Sequence, residues 1–375
     1  MERVFLYLAL KVFFLKNIII STTNDLTTDQ RVAKICDTLF SNNYNITLIG
    51  RKLKNSIPIT RKYKTIRMRL FFNNGFLFYA EYNIRLFFKL LFLKKDILVA
   101  NDLDTLLPNY LVSKLQSKTI IYDSHELFTE IPELVDRPRV KKIWESIERR
   151  IIPNLKNCYT VSDSIAEYYK NKYKTHFETI RNLPKTKKNT IGVFPFDTNG
   201  KTIILYQGAV NIGRGLELML DTMKHLENHI FVVIGSGDII NDLKKSAVKL
   251  IADKKVYFLG KLTPPEMNAL TPLADIGISL EEDLGLNYRY ALPNKLFDYL
   301  HAEVPVLVSN LPEMKKIIDT YKFGEIIQNR NPKLLAKQIE EFDFRKHSEE
   351  IINAKNILNW ENEEQKIISI YQNAK

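Results

Sequence analysis

Two basic residues stand where amphipathic stretches are predicted to begin as helices. Arg214 lies between two glycines ahead of one stretch, and Lys295 follows Asn294 and Pro293, a residue suited to the first helical position. Because a helix amino terminus carries partial positive charge, a cation there is unfavourable by roughly 0.3–1 kcal/mol. An anion in front of both termini would reverse this effect by accepting bonds from backbone N–H groups and from the side chains. The pair therefore predicts a diphosphate site, whereas either residue alone is compatible with a side chain in solvent.

Other residues of the second half accompany the two cations. Asn294 and Asp298 are i, i+4 neighbours on one predicted helix, so both face the phosphate site. The Asp298 carboxylate is suited to accept hydrogen bonds from ribose hydroxyls, although a solvated acid explains it too. Glycines after predicted strands allow close approach of a ligand, with a nucleobase at the last of them, but simple turns explain them equally. The candidates from these patterns are Gly235, Gly237, Gly260, Leu262, Asn294 and Asp298.

Length and composition predict two globular domains in a reducing compartment. The chain has 375 residues, of which 45% are hydrophobic and 26% charged, and this length suits two domains better than one core. Cys36 and Cys158 have no CxxC or metal-ligand spacing, so both are expected to be buried thiols. The six histidines show no paired-ligand arrangement, which argues against a structural or catalytic zinc.

The formal net charge of +12 favours polyanionic partners, and much of it falls in one stretch of the first half. The clustered cations are Arg51, Lys52, Lys54, Arg61, Lys62, Lys64, Arg67 and Arg69. No nucleic-acid-binding motif accompanies them, so nucleic acid is not the expected partner. Anionic lipid and phosphorylated substrates remain.

The stretch 76–93 follows this basic cluster and is rich in Phe, Leu and Tyr. As a helix it carries one narrow polar stripe of Glu81, Arg85 and Lys89 at i, i+4 spacing. Two interpretations stay open: a helix buried against its own sheet, and an interfacial helix that dips into an anionic membrane. The apolar residues 4–15 are too few to span a bilayer and predict a short extension that rests on a membrane.

Short apolar runs alternate with amphipathic stretches along the chain, which indicates α/β architecture with parallel sheets. The expected strands are 17–21, 45–50, 96–100, 119–123 and 158–161, and then 202–206, 230–234, 256–259, 276–280 and 304–309. A polar stretch with Pro and Gly separates the two series. The predicted organisation is a first domain over 1–185, a linker over 186–200, a second domain over 201–358 and a terminal helix over 359–375.

Several short runs, in order over nearly the whole chain, match the motifs of one known family. In the second half they are Tyr206-Gln-Gly-Ala-Val-Asn-Ile-Gly-Arg-Gly-Leu-Glu217, Val232-Val-Ile-Gly-Ser-Gly237, Phe258-Leu-Gly260 and Leu292-Pro-Asn-Lys-Leu-Phe-Asp-Tyr-Leu300 ahead of Val304-Pro-Val-Leu. In the first half they are Thr28-Asp-Gln-Arg-Val32, Ala100-Asn-Asp-Leu-Asp-Thr105, Tyr122-Asp-Ser-His-Glu-Leu127, and Val161-Ser162 followed by Asn182-Leu-Pro184. Together they resemble glycosyltransferase family 4, also called glycosyl transferases group 1, whose members are retaining enzymes.

This resemblance implies the GT-B fold, in which two Rossmann-like, doubly wound parallel-sheet domains face a central cleft. The first domain would bind the acceptor, and the second would bind the nucleotide-sugar donor. Residues 359–375 would form the last helix, which crosses back to the first domain.

The resemblance also assigns roles to single residues. His125 matches a histidine of the acceptor domain and joins Arg214 and Lys295 as a catalytic candidate. The family's donor site carries two acids eight positions apart; Asp298 matches the second, but Tyr290 occupies the first position. The nearest substitutes for the first acid are Glu281, Glu282 and Asp283, across a longer loop. The remaining candidates are Gly208 and Glu282 on the donor side, and Asp29, Arg31, Asn101 and Asp123 on the acceptor side.

The implied activity is transfer of a hexosyl or N-acetylhexosaminyl group from a UDP- or GDP-sugar to a hydroxyl acceptor, without a cofactor or an essential metal. The basic, aromatic first domain favours a lipid-linked or glycan acceptor in surface polysaccharide or lipopolysaccharide biosynthesis. It also favours a cytoplasmic protein that is peripheral on the inner face of the plasma membrane. A GT-B-type nucleotide-sugar epimerase and a non-catalytic, membrane-associated relative stay open. A nicotinamide-dependent oxidoreductase does not fit, because residues 21–26 after the first strand contain no glycine.

Overall fold

The computed structural model describes residues 16–131, 134, 137–187 and 190–374. Its internal contacts divide the chain into two compact units. The first unit comprises the residues up to Arg181 together with those from Glu364 onward, and the second comprises Asn182–Glu363. The predicted apolar extension at residues 4–15 lies outside the described residues.

A seven-stranded parallel sheet organises the first unit, with the strand order β3-β2-β1-β4-β5-β6-β7. The strands are β1 (Asn17–Asp25), β2 (Asn45–Arg51), β3 (Lys64–Met68), β4 (Ile97–Asn101), β5 (Thr119–Ser124), β6 (Asn157–Thr160) and β7 (Glu178–Thr179). The helices are α1 (Gln30–Ser41), α2 (Gly75–Phe92), α3 (Leu103–Gln116), α4 (Pro138–Ile151) and α5 (Asp163–Tyr173).

A six-stranded parallel sheet organises the second unit, with the strand order β10-β9-β8-β11-β12-β13. The strands are β8 (Thr202–Gln207), β9 (His229–Ile234), β10 (Val256–Gly260), β11 (Ile276–Ser279), β12 (Val306–Val308) and β13 (Gly324–Ile326). The helices are α6 (Leu216–Met223), α7 (Ile240–Ser246), α8 (Val248–Ala252), α9 (Pro264–Leu270), α10 (Leu286–Arg289), α11 (Asn294–His301), α12 (Pro312–Tyr321), α13 (Pro332–Glu340), α14 (Ser348–Ile357) and α15 (Trp360–Asn373).

The strands of the second sheet are buried on both faces, as a parallel sheet covered by helices requires. Strand β9 is buried along its whole length. Its side chains alternate between two apolar clusters: Ile230, Val232 and Ile234 pack into one, and Phe231 and Val233 into the other.

Helix α15 includes residues of both units. Its residues from Glu364 onward belong to the first unit, where the Tyr371 hydroxyl lies 3.2 Å from that of Tyr159. The rings of Tyr371 and Tyr44 also meet edge to face. These buried aromatic contacts fix the last turns of the chain against the first sheet.

The strand order reverses once in each sheet, between β1 and β4 in the first unit and between β8 and β11 in the second. The predicted α/β class with two Rossmann-like parallel sheets is therefore confirmed. In such sheets, ligands bind beyond the carboxyl ends of the strands at the point of reversal. The residues that follow β1, β4, β8 and β11 are accordingly the first place to look for a site.

Among the described residues, no helix combines the length and the apolar content that crossing a bilayer requires.

Candidate functional site

The point of reversal in the second sheet carries polar side chains. Strand β8 ends in Gln207 and is followed by Gly208, and β11 ends in Ser279, two residues before Glu281. Because β8 and β11 are parallel neighbours, these ends lie at one edge of the sheet. The Gln207 and Glu281 side chains are both buried there, so the edge is a pre-formed polar site.

Lys295 lies in the first turn of α11 and points into this site. The helix begins at Asn294. Pro293 was predicted as its first residue, but it is the cap that precedes the helix, with an extended ψ of 135°. Lys295 is buried, its Nζ donates to Glu281 Oε1 at 2.9 Å, and it lies 3.9 Å from the centroid of the Tyr206 ring. The alternative of a lysine in solvent is therefore wrong for this residue.

Arg214 reaches the same carboxylate from α6. The helix begins at Leu216, and Gly215 caps it with φ +74°. A Cβ on Gly215 would lie 2.2 Å from the Leu280 carbonyl oxygen, so the chain passes β11 too closely for any side chain. This approach places Arg214 NH1 3.7 Å from Glu281 Oε1. Within the described part of the chain, the buried Nε of Arg214 has no hydrogen-bond acceptor.

Glu281 is fully buried and is held by three side chains. Ser279 Oγ donates to Glu281 Oε2 at 2.6 Å, and Lys295 and Arg214 share Oε1. Burial alone would raise the pKa of Glu281, but Lys295, the Ser279 bond and Arg214 outweigh it and bring the pKa below its usual value. Arg330 donates to the carbonyl oxygens of Leu280 and Glu281 and so fixes the backbone as well.

The acid that lies beside Lys295 and Arg214 is Glu281, whereas Glu282 was the donor-side candidate predicted from the sequence. Glu282 is half-exposed and lies 3.6 Å from Arg330 NH2, outside the cluster of Glu281, Lys295 and Arg214. Glu281 entered the sequence analysis only as one of three neighbouring acids. The signal that separates Glu281 from Glu282 is the register of β11, because a buried strand that ends at Ser279 directs Glu281 inward and Glu282 outward.

The predicted glycines line the loops of this edge. Gly235 has φ +152°, and a Cβ there would lie 1.8 Å from the Gly208 carbonyl oxygen, so the two loops touch backbone to backbone. The Gly235 N–H donates to the Gly260 carbonyl oxygen at 2.8 Å, which joins a third strand end. Gly237 packs as closely on Val210. Leu262 lies farther along, partly buried against the core.

Asp298 lies one turn into α11. It is half-buried, and its Oδ2 accepts a hydrogen bond from Gln207 Nε2 at 3.3 Å. The Gln207 Oε1 in turn accepts from Thr271 Oγ1 at 2.9 Å, which fixes the orientation of the amide. Asn294, on the same helix face, is exposed. Asp298 therefore adjoins the end of β8, while Asn294 faces solvent.

In the first unit, the ends of β1, β4 and β5 carry a second polar cluster. Arg31 is buried, and its NH2 lies 3.0 Å from Asp123 Oδ1. Its NH1 donates to the Ile180 carbonyl oxygen at 3.0 Å. The Asn101 side chain is also buried and donates to the Ser21 carbonyl oxygen. Asp29 serves as the amino-terminal cap of α1, where it accepts from the Val32 N–H at 3.1 Å.

His125 lies between two carboxylates of this cluster. Its Nδ1 is 3.1 Å from Asp102 Oδ2, and its Nε2 is 2.9 Å from Asp123 Oδ2. Burial would lower the pKa of His125, but Asp102 and Asp123 raise it well above its usual 6.5. Burial opposes ionisation of Asp123 too, yet Arg31 and His125 lower its pKa. His125 is thus a charged imidazolium with both ring N–H groups in use.

Asp102 was absent from the predicted site residues, although it completes this cluster. Its backbone has φ +60° and ψ 167°, a conformation that costs a non-glycine residue about 1–3 kcal/mol. The backbone N–H of Asp102 donates to the Asp123 carbonyl oxygen, and the Asp102 Oδ1 accepts from the backbone N–H of His125. The carboxylate is partly exposed, and strain of this kind is invisible in a sequence pattern.

Asp104 faces inward instead and bonds to Thr23 Oγ1 at 2.5 Å. Burial and the neighbouring Asp102 raise the pKa of Asp104 to about 8. The two acids of Asp102-x-Asp104 therefore occupy different environments. Among the described residues, no group of three or more His, Cys, Asp or Glu side chains is arranged to hold a metal ion.

Helix α2 presents an apolar face to solvent. Its inner side packs Phe78, Tyr82, Leu86 and Leu90 against the sheet. The prediction of a helix buried against its own sheet is therefore confirmed for that side. We call the outer side, with the loop before it, the apolar face; it consists of Phe71, Phe72, Phe76, Leu77, Ile84, Phe88 and Phe92, all at least 46% exposed. Exposed apolar side chains grouped in this way are typical of an interaction surface.

Glu81 holds the loop at one end of the apolar face. Its carboxylate accepts from the backbone N–H groups of Phe71 and Phe72 at 2.9–3.1 Å and pairs with Arg85 at 2.6 Å. The Arg85 guanidinium also lies 5.0 Å from the centroid of the Phe71 ring. A groove beside α2 has Arg69 and Lys89 among its lining residues. The two phenylalanines are therefore held in the loop by fixed contacts.

Residues 193–356 match the family described as "Glycosyl transferases group 1", so the second unit carries a domain of that group. An uncharacterized glycosyltransferase of Methanocaldococcus jannaschii is 26% identical over 198 residues, which cover 49% of this chain and 47% of that protein. The alpha-monoglucosyldiacylglycerol synthase of Streptococcus pneumoniae is 30% identical over 118 residues, which cover 31% of this chain and 25% of the synthase. The chain thus spans less than half the length of these relatives.

Solved structures share the fold over nearly the whole chain. Sucrose-phosphate synthase from Thermosynechococcus elongatus superposes with a TM-score of 0.79 at 13% identity and covers 95% of this chain and 98% of its own. Anabaena HepE in complex with UDP and glucose superposes with a TM-score of 0.70 at 11% identity, with coverages of 95% and 99%. At these identities the likeness concerns the fold of GT-B glycosyltransferases.

Proposed function

We propose that this protein is a retaining glycosyltransferase of family 4 that moves a sugar from a nucleoside-diphosphate sugar to a hydroxyl acceptor. The observation that carries the proposal is the convergence of Arg214 and Lys295 on one buried carboxylate oxygen, at the point of reversal in a sheet of the glycosyl transferases group 1 type. The HepE structure holds UDP, which supports a nucleotide-sugar donor for this fold.

The second unit would bind the donor through its diphosphate. Arg214 and Lys295 stand at the amino termini of α6 and α11, so their side chains and the helix N–H groups address one anion. Negative charge grows on the diphosphate as the bond to the anomeric carbon breaks, and fixed cations stabilise that charge. Asp298 would accept from the ribose hydroxyls, and the loops of Gly208, Gly235 and Gly260 would admit the nucleotide close to the backbone.

The transfer itself needs little further chemistry. The electron pair of the broken bond goes to the diphosphate, and the acceptor oxygen forms the new bond on the same face of the sugar. The acceptor proton passes to a diphosphate oxygen, so no separate base and no metal are required. We place acceptor recognition in the first unit, where the partly exposed Asp102 carboxylate, oriented by His125, is suited to accept a hydrogen bond from a hydroxyl.

We further propose a lipid-linked or glycan acceptor, met at an anionic membrane on the inner face of the plasma membrane. Residues 51–95 hold twelve basic residues and one acid, Glu81, and they include the whole apolar face. Exposed aromatic side chains among cations fit the interface of an anionic bilayer. The name of the Streptococcus pneumoniae synthase denotes a glucosylated lipid, which supports a lipid acceptor. The role that we propose for such a transfer is in surface polysaccharide or lipopolysaccharide biosynthesis.

The donor site is tested by isothermal titration calorimetry, which measures the affinity of the protein for UDP and for GDP. We expect Lys295→Ala to weaken nucleoside diphosphate binding by about tenfold or more, because a charge-assisted bond to phosphate is lost. Lys315→Ala is the matched control, since Lys315 is an exposed lysine on α12 that pairs with the surface acid Asp319. Unchanged binding in Lys295→Ala, or no binding to the unaltered protein, would show that the donor site is assigned wrongly.

A panel of UDP- and GDP-linked hexoses and N-acetylhexosamines then identifies the reaction. Release of the nucleoside diphosphate together with a glycosylated acceptor, with the anomeric configuration kept, is the expected result. A changed sugar still attached to its nucleotide would identify an epimerase. Binding of donor without turnover of any panel member, in the presence of membrane extract, would identify a non-catalytic relative.

A further inference from the structure

The cations of the proposed diphosphate site already face an anion that belongs to the protein. Glu281 Oε1 lies 2.9 Å from Lys295 Nζ and 3.7 Å from Arg214 NH1, and the Glu281 side chain is fully buried. A phosphate bound between the same two cations would compete with this oxygen for their N–H groups. It would also place a second negative charge within a few ångströms of the carboxylate.

Glu281 cannot easily leave the site. Its other oxygen accepts from Ser279 Oγ at 2.6 Å, and Arg330 fixes its backbone through the carbonyl oxygens of residues 280 and 281. A carboxylate held on both sides stays in place while the anion in front of the cations comes and goes. Its charge therefore acts both on the empty site and on the occupied one.

We infer that Glu281 is a positioning residue that serves as an internal counter-anion of the diphosphate site. In the empty site it balances two cations that are otherwise close enough to repel, and so keeps Lys295 and Arg214 directed toward the position of the phosphate. In the occupied site it weakens the hold on the nucleoside diphosphate and so speeds release of that product. This inference rests on the proposed function and concerns how tightly the site holds its anion.

A simple structural ion pair would give the opposite result on removal of the acid. If Glu281 only supported Lys295, its loss would disorder the lysine, and nucleoside diphosphate would bind more weakly. If it is a counter-anion, its loss frees positive charge, and nucleoside diphosphate binds more tightly. The direction of the change in affinity therefore separates the two roles.

The decisive variant is Glu281→Gln, which removes the charge and keeps an acceptor oxygen and the size of the side chain. We expect UDP or GDP to bind about tenfold more tightly, since the lost repulsion between charges 4–6 Å apart is worth at least that factor in a partly buried site. With donor and acceptor supplied, kcat and the KM for the donor should both fall. Inhibition by added nucleoside diphosphate should strengthen by a similar factor.

Two further variants complete the experiment. Asp283→Asn removes the same charge two residues away, from an exposed acid paired with Arg289, and should leave nucleoside diphosphate affinity unchanged. Glu281→Met removes the same charge and fills the same space with an unbranched apolar side chain, and it replaces Glu281→Gln if that variant does not fold; we expect nucleoside diphosphate affinity to rise by a similar factor.

Weaker or unchanged binding in a folded Glu281→Gln protein would overturn the inference and leave the proposed function standing. For Glu281→Met, unchanged or weaker binding in the folded protein would do the same. Absence of nucleoside diphosphate binding by the unaltered protein would overturn both. Measurement of the thermal unfolding midpoint of each variant establishes that it is folded before affinities are compared.

Discussion

His125 has carboxylates at both ring nitrogens, and this decides what it can do. An imidazolium whose two N–H groups donate to Asp102 and Asp123 has no free nitrogen to accept a proton from a substrate. Its effect on the reaction must pass through Asp102, whose partly exposed carboxylate it orients. His125 was predicted as a catalytic residue, and its place in the cluster supports a positioning role instead.

The charge of His125 predicts a pH-dependent stability. Because the folded protein raises the pKa of His125 above its unfolded value near 6.5, the contribution is complete below pH 6.5 and declines as pH rises through the folded pKa. We expect His125→Gln to lower the thermal unfolding midpoint by about 5 °C at pH 6, with a smaller difference at pH 9. His176→Gln is the control, since His176 is exposed and pairs with the exposed acid Glu178. An equal difference at both pH values would contradict a charged His125.

At the scale of secondary structure, the sequence pattern predicted every central strand and one edge strand, β10, and it missed the other three edge strands. The three unpredicted strands, β3, β7 and β13, all lie at an edge of their sheet. These three strands are only partly buried, so they lack the continuous apolar runs by which buried strands are recognised. Strand β3, with lysine and arginine within five residues, is the clearest case.

In the candidate site, the sequence predicted the two cations and missed two of the acids. The helix starts at Arg214 and Lys295 were visible because cations at amino termini are unfavourable without an anion. Glu281 was not singled out, because two adjacent acids follow it. The register of β11 separates Glu281 from Glu282 but not from Asp283, and only the structure shows that Glu281 alone of the three is buried. Asp102 depends on a backbone conformation that no spacing of residues reveals.

The close passage of α6 past β11 gives a test of how the elements build the site. Gly215→Ala would bring a Cβ within 2.2 Å of the Leu280 carbonyl oxygen, so the start of α6 and Arg214 must move away. We expect UDP or GDP affinity to fall by about tenfold or more through the misplaced cation. Gly200→Ala is the control, because Gly200 has a similar φ of +70°, and a Cβ there would meet none of the described residues beyond its chain neighbours within 4 Å. Equal affinities in the two variants would mean that the passage does not position Arg214.

At the scale of the whole molecule, the charge is concentrated in one segment. Residues 51–95 carry twelve basic residues and one acid, a net charge of +11, whereas the complete chain has +12. The rest of the chain is therefore almost neutral. Such an asymmetric field orients a protein toward an anionic surface before contact is made, and it weakens as salt screens it. The apolar face belongs to the same segment, so in the proposed membrane association one segment would supply both the attracting charge and the apolar side chains.

Binding to lipid vesicles tests this arrangement. In a flotation assay at low salt, we expect the protein to bind vesicles that contain phosphatidylglycerol. Its binding to neutral phosphatidylcholine vesicles, or to the same anionic vesicles at high salt, should be about tenfold weaker. Replacing two residues of the apolar face, Phe71→Glu with Phe88→Glu, should remove most of the binding to anionic vesicles at low salt, because charged side chains oppose insertion. The double variant Leu334→Glu with Ile352→Glu is the matched control, since these residues of the second unit are equally apolar and about half exposed. Equal loss of binding in both double variants would show that the apolar face has no special part in membrane association.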